Sequence, residues 1–165
     1  MALNVTLKVP YKEGPDTKIK KKPVKKIEED LLTRLIVAEA GNQPEEGKIA
    51  VANVVMNRLN SPLPYLTRGG KRTISNVIQN PNAFESYTNK KMFDVQKDSV
   101  EYQEANLIAK KAIQGDLDDV TNGATHFLNP KVIMDRGDNL PSWYYNLEKR
   151  GIIGDHEFFY EGIRK

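Results

Sequence analysis

Residues 35–48 read LIVAEAGNQPEEGK, and two helices meet within them. Upstream, Ile27, Leu31 and Leu35 recur every four residues with Leu32 and Ile36 beside them. That spacing predicts an amphipathic helix over 27–40. Gly41 suits its C-terminal stop. Asn42 or Gln43 then opens a second helix, with Pro44, Glu45 and Glu46 in its first turn, where proline and acids are favoured. This helix carries IAVANVVMNRL over 49–59, apolar on most of its surface, and should be central and buried.

The next member of the four-residue row after Leu35 is Glu39. It falls at the end of an apolar stripe, one turn before a glycine. Desolvation disfavours its charged form, and so does the negative end of the helix dipole. Both raise the pKa, and a glutamate that keeps its proton near neutral pH can act as a general acid. Periodicity alone leaves a plainer alternative, in which the helix frays early and Glu39 is solvated.

Beyond the loop over 60–72, a short helix is expected over 73–79, closed by Asn80-Pro81. Asp98 opens the clearest helix, with a D-x-x-E start (Asp98, Glu101) and the stripe Ala105, Ile108, Ala109, Ala112, Ile113. Gly115 ends it. GATHFLNP (123–130) and HEFFYE (156–161) read as short strands, with a short helix or turn in PSWYYNLEKRG (141–151) between them. Helices first and a small sheet late make an α+β domain, mainly helical.

The 165 residues suffice for one domain with its own core. Without cysteine, disulfides and thiolate metal sites are excluded. Two histidines, His126 and His156, argue against a dedicated zinc site, and no cofactor is expected. No apolar run reaches the ~20 residues of a membrane helix, so no membrane insertion is expected. The N-terminus shows no secretory signal pattern.

Net charge is +3 but unevenly spread. Residues 1–26 hold eight lysines and two acids, +6, which leaves −3 for residues 27–165. The chain is therefore read as an extended basic arm over 1–26, with one strand at NVTLKV (4–9), followed by a domain over 27–165. The lysine run over 18–26 is a solvated linker or a contact for a polyanion. It has no interleaved aromatics, which weakens a nucleic-acid reading.

Among weaker motifs, NPNAF (80–84) is a turn that presents Phe84, either to a ligand or as a core plug. Trp143, Tyr144 and Tyr145 suit a groove for sugar rings or a core equally well. Nucleophile-elbow and phosphate-loop patterns are missing.

Five elements in order resemble the germination-type cell-wall hydrolase family, the spore cortex-lytic enzymes and their phage and bacterial relatives. They are RLIVAEAGNQPEEGKIAVANVVMNRL, RTISNVIQNPNAF, the helix ending AKKAIQG, GATHFLNP, and the ending W…IIGDHEFF. The family pattern runs E-A-x-G-E, E-G-x-x-A-V-A, N-R, Q-P-x-A-F, a strand ending N-P, Trp, then I-G-x-H-x-F, and the likeness covers about residues 30–160. It implies a lysozyme- or lytic-transglycosylase-like domain. It also implies cleavage of peptidoglycan glycan strands between N-acetylmuramic acid and N-acetylglucosamine, with Glu39 as the catalytic glutamate. Phe84, His126, Asn129, Trp143 and Tyr144 are the candidate substrate contacts. This chain departs from the pattern at Gln43, where the family has a second glutamate, at Asn80, where it has glutamine, and at His126, where an aromatic is common. Either the second acid is dispensable or the protein is impaired.

A hydrolase needs a second carboxylate beside the acid, about 5 Å away if retaining and further if inverting. Glu85, Asp94, Asp135 and Asp138 all lie in expected loops, so none is assigned. Lytic transglycosylation needs no second carboxylate and is the expected route, with a hydrolytic muramidase as the alternative. A catalytically silent wall-binding or virion protein is the rival from another class, and a nucleic-acid binder working through 18–26 is the remote one. A monomer is expected, made in the cytoplasm without a signal peptide and acting on the cell wall, whether phage-released, virion-associated or spore-associated.

Overall fold

The computed structural model describes residues 24–162. Most of the basic arm, including the strand expected at 4–9, lies outside them. The first helix, α1 (Val24–Ala40), begins nearly a turn before the expected start. Its apolar row holds at Leu31 and Leu35 but fails at Ile27, which is 44% exposed, while Glu28 is 1% exposed. Glu28 is drawn inward because its carboxylate accepts the Ser75 N–H at 2.6 Å, satisfying an otherwise orphan donor at the start of α3 (Ile74–Ile78).

Gly41 follows α1, but not for the left-handed conformation usual at a helix stop. A Cβ there would lie 2.5 Å from the Val37 carbonyl oxygen, so lack of room selects glycine. The second helix, α2 (Glu45–Asn60), starts two or three residues later than expected, with Pro44 as N-cap. Ala50 through Met56 are all buried, which makes α2 the central helix, as its composition predicts.

The helix α5 (Val100–Gln114) packs across α1 and α2 with the expected stripe inward. Its N-cap is Ser99, whose hydroxyl accepts the Tyr102 N–H at 3.1 Å, and not Asp98. Ser99→Ala is therefore expected to lower stability by about 1 kcal/mol, with Asp98→Ala nearly neutral. Denaturant melts of the two variants check this, and a larger loss for Asp98→Ala would restore the D-x-x-E reading.

Two short helices were not expected: α4 (Glu85–Thr88) and α6 (Pro130–Asp135). The helix α7 (Trp143–Asn146) occupies part of the expected helix or turn. The sheet has three antiparallel strands in the order β1-β3-β2: β1 (His126–Leu128), β2 (Glu148–Ile153) and β3 (His156–Tyr160). β2 escaped the sequence reading because it is a charged edge strand. It has no alternating burial, and its register is broken between Lys149 and Gly151.

The core unites α1, α2, α3 and α5 around Leu32, Leu35, Ile36, Val51 and Ile78. A smaller cluster, Ala50, Val54, Ala124 and Phe158, seats the sheet on α2. Polar side chains of α2 fix the segment that leads into β1. Asn53 bonds Asp118 and Val120, Asn57 bonds the Ala124 carbonyl, and Arg58 bonds the Thr125 carbonyl at 2.6 Å. No helix among the described residues is long and apolar enough to cross a membrane.

Candidate active site

A cleft of about 370 Å³ opens where the end of α1, the start of α4, α6 and the sheet converge. Glu39 sits in its wall, half-buried in the last turn of α1. One carboxylate oxygen accepts the Ser86 N–H at 3.3 Å. Burial raises the Glu39 pKa above its ordinary value, and the charge of Glu85 adds to that. The Ser86 hydrogen-bonding groups and the Arg58 cation pull the other way. The plainer alternative, a frayed helix end with a solvated Glu39, is not what the fold contains.

Arg58 comes from the last turns of α2 and is almost wholly buried. Its guanidinium lies 4.8 Å from the centre of the Phe84 ring, and Nε donates to the Thr125 carbonyl. Burial lowers its pKa to about 10, so it stays charged at neutral pH. Phe84 belongs to the core. It is 4% exposed, packs against Phe127 at 6.2 Å between ring centres, and still lines the cleft.

Two carboxylates line the cleft among the described residues, Glu39 and Glu85. Both oxygens of Glu85 are taken by Arg136 of the opposite wall, at 3.0 and 2.9 Å. Asp94, Asp135 and Asp138 lie outside the lining. Asp135 pairs with Lys131, and Asp138 accepts from Arg136 Nε at 2.6 Å. The site thus offers one half-buried carboxyl with a raised pKa, a buried cation beside it, and a second carboxylate already engaged. Such a carboxyl keeps its proton to higher pH than an exposed glutamate does, which is what donation to a bound oxygen requires.

A family model for cell wall hydrolases matches residues 42–159. The chain belongs to the cell wall hydrolase family. The match begins just past Glu39, so that residue is not among those it covers. The cell wall hydrolase CwlJ of Bacillus subtilis (strain 168) is 30% identical over 115 residues, 70% of this chain and 72% of that protein. The spore cortex-lytic enzyme of the same organism is 29% identical over 131 residues, 78% of this chain but only 36% of that protein. The catalytic domain of the germination-specific lytic transglycosylase SleB from Bacillus anthracis has the same fold. Its TM-score is 0.63 at 21% identity, covering 86% of this chain and 98% of that one. The SleB catalytic domain from Bacillus cereus gives the same TM-score over 90% of this chain. The expected mainly helical, lytic-transglycosylase-like domain with a small late sheet is the fold observed.

Of the candidate contacts in this family member, Phe84 and Asn129 line the cleft with Glu39. The Asn129 side chain also caps α6, accepting the Val132 N–H at 3.2 Å. His126, Trp143 and Tyr144 do not line it. Successive strand residues point to opposite faces. In β1 and β3, Phe127, His156 and Phe158 pack together on one face. His126 and Phe159 lie on the other, covered by Trp143 and Tyr144 at 5.0–5.4 Å between ring centres. Burial, with the nearby Arg58 charge, pushes the His126 pKa down to about 3.

Among the lining residues that sequence reasoning did not assign to the site are Gln43, Arg58, Ser86 and His156. His156 is 6% exposed, its Nδ1 has no hydrogen-bond partner among the described residues, and burial lowers its pKa. The Arg58 and His156 signals were present, as a charged residue inside an apolar helix and as one of two histidines. Only the fold puts them beside Glu39.

Proposed function

We propose that the protein cleaves peptidoglycan glycan strands between N-acetylmuramic acid and N-acetylglucosamine as a lytic transglycosylase. Glu39 serves first as general acid and then as base. The observation that carries this reading is the pairing of roles in the cleft: Glu39 is half-buried with a raised pKa, while Glu85 is held at both oxygens by Arg136.

Protonated Glu39 gives its proton to the glycosidic oxygen as the C1–O4 bond breaks. Positive charge develops at C1 of the muramic ring, where the substrate's own N-acetyl oxygen stabilises it. The Glu39 carboxylate then takes the proton of the C6 hydroxyl, whose oxygen bonds to C1 and closes a 1,6-anhydro ring. Protons balance, and Glu39 ends as it began. The membership of the cell wall hydrolase family and the likeness to SleB support the substrate class and the route.

Glu85 favours one alternative, since a second carboxylate in the wall is what a hydrolytic muramidase would need. Mass spectrometry of products from purified sacculi separates the two. Anhydromuramic ends, lighter by one water than reducing ends, are the expected result. Reducing ends would make the protein a muramidase, and no soluble muropeptides would make it a silent wall-binding or virion protein. The relatives named for spore cortex lysis support a cell-wall site of action, and the partner assigned here is peptidoglycan rather than nucleic acid. Activity that survives removal of residues 1–26 would agree with that assignment.

A further inference from the structure

Gln43 lies between α1 and α2 in the cleft wall and is 7% exposed. Its Oε1 accepts the Asp155 N–H at 3.0 Å. Its Nε2 donates to the Asp155 carboxylate at 3.0 Å and to Asn42 Oδ1 at 3.3 Å. The way round of this amide is dictated by its partners. A backbone N–H can only donate, so the amide oxygen faces it and the amide nitrogen faces the carboxylate. Asp155 occupies the two-residue turn between β2 and β3, directly before His156. Gly154 in that turn has φ +59°, and a Cβ there would meet Gln43 Oε1 at 2.3 Å. On the other side, a Cβ on Gly47 would meet the Gln43 Cβ at 2.9 Å. Both neighbours are cut back so that this side chain fits between α2 and the hairpin.

We propose that Gln43 is a positioning residue that latches the β2–β3 turn to the α1–α2 junction and thereby seats His156 in the cleft wall. The latch is matched in polarity, with an amide donor set against the Asp155 carboxylate. Glutamate at position 43 would still accept the Asp155 N–H. Its second oxygen, however, would face the Asp155 carboxylate at the distance now bridged by the amide nitrogen. Two carboxylates so placed do not both ionise, and the pair holds one proton between them until rising pH removes it. Gln43 with Asp155 is therefore a compensated pair and not the remnant of a lost catalytic acid. The other charged or titratable groups lining this cleft are Glu39 from α1, Arg58 from α2, Glu85 from α4, His156 from β3, and Lys91 and Arg136. The effect on activity rests on the cleft being the glycan-cleaving site, whereas the effect on stability does not.

The test compares the full chain with Gln43→Glu and with Gln43→Glu/Asp155→Asn. Melting temperature and muropeptide release from sacculi are followed from about pH 5 to about pH 8. Gln43→Glu is expected to approach the wild type at the acidic end. At the alkaline end it should melt lower and release muropeptides about tenfold more slowly, as expected for loss of a hydrogen bond to a charged group. The double variant restores both readouts across the range, because the amide introduced at position 155 donates to the carboxylate introduced at position 43. The polarity of the latch is then simply reversed. Faster release by Gln43→Glu throughout the range would make position 43 a catalytic acid and overturn the proposal. A double variant no better than Gln43→Glu would overturn it as well. If the wild type releases nothing, the functional reading of the cleft fails. The pH-dependent melting of Gln43→Glu and its recovery in the double variant still decide the latch.

Discussion

Glu39→Gln is expected to release soluble muropeptides from purified sacculi about 10²–10⁴-fold more slowly than the wild type, the usual contribution of a positioned general acid–base. Binding to sacculi should persist, because glutamine keeps the size and can still accept the Ser86 N–H that now reaches Glu39. The same substitution should raise thermal stability at neutral and alkaline pH. Burial lifts the folded Glu39 pKa above 4.5, so the folded protein holds that proton more tightly than the unfolded chain. Stability from this group is complete below the ordinary value. It declines as pH rises through the folded one, by linkage. Glutamine does not ionise, so the decline vanishes. Calorimetric scans across pH check the second effect, and release assays on the same samples check the first. A variant that cuts sacculi at the wild-type rate would remove Glu39 from the chemistry.

Arg58→Met is expected to destabilise the protein by about 2–4 kcal/mol, or about 5–15 °C in melting temperature. Methionine replaces the stem of the arginine but not its bonds. It leaves the buried Thr125 carbonyl without the Nε donor at 2.6 Å, and it removes the guanidinium from the Phe84 ring. The electrostatic consequence has a definite sign. The Arg58 charge holds the Glu39 pKa down, against burial and Glu85. Without it Glu39 titrates higher, and the alkaline limb of the activity profile moves to higher pH. Arg58→Lys keeps a charge without the fork that meets Thr125, so it should recover the limb more than the melting temperature. An unchanged melting temperature for Arg58→Met would mean that the Thr125 contact contributes nothing, and an unmoved limb would separate Arg58 from Glu39.

The helices were legible because their information is local. The spacing of Leu31 and Leu35, the unbroken apolar run of α2 and the stripe from Ala105 to Ile113 each repeat within a few turns. Misreadings fell where a distant partner took over a residue. Ile27 has the right spacing but is left in solvent, and Glu28 turns inward for an N–H 47 residues away. Charges on β2 obscured a strand held by its backbone pairing to β3.

By itself the sequence determined a mainly helical α+β domain, an acid at the end of a buried helical row, and a likeness to cell-wall hydrolases. Tertiary structure alone decided what surrounds that acid. Arg58, Ser86, Phe127 and His156 come from four elements, and no periodicity links them to Glu39. It also decided that His126, Trp143 and Tyr144 share the far face of the sheet, since neighbouring strand residues point opposite ways and the sequence does not say which face is the cleft. Gln43, a mere departure from a pattern in the sequence, acquires its meaning from Asp155, 112 residues further on. Local periodicity writes helices into a chain, whereas a site is made by which elements the core presses together.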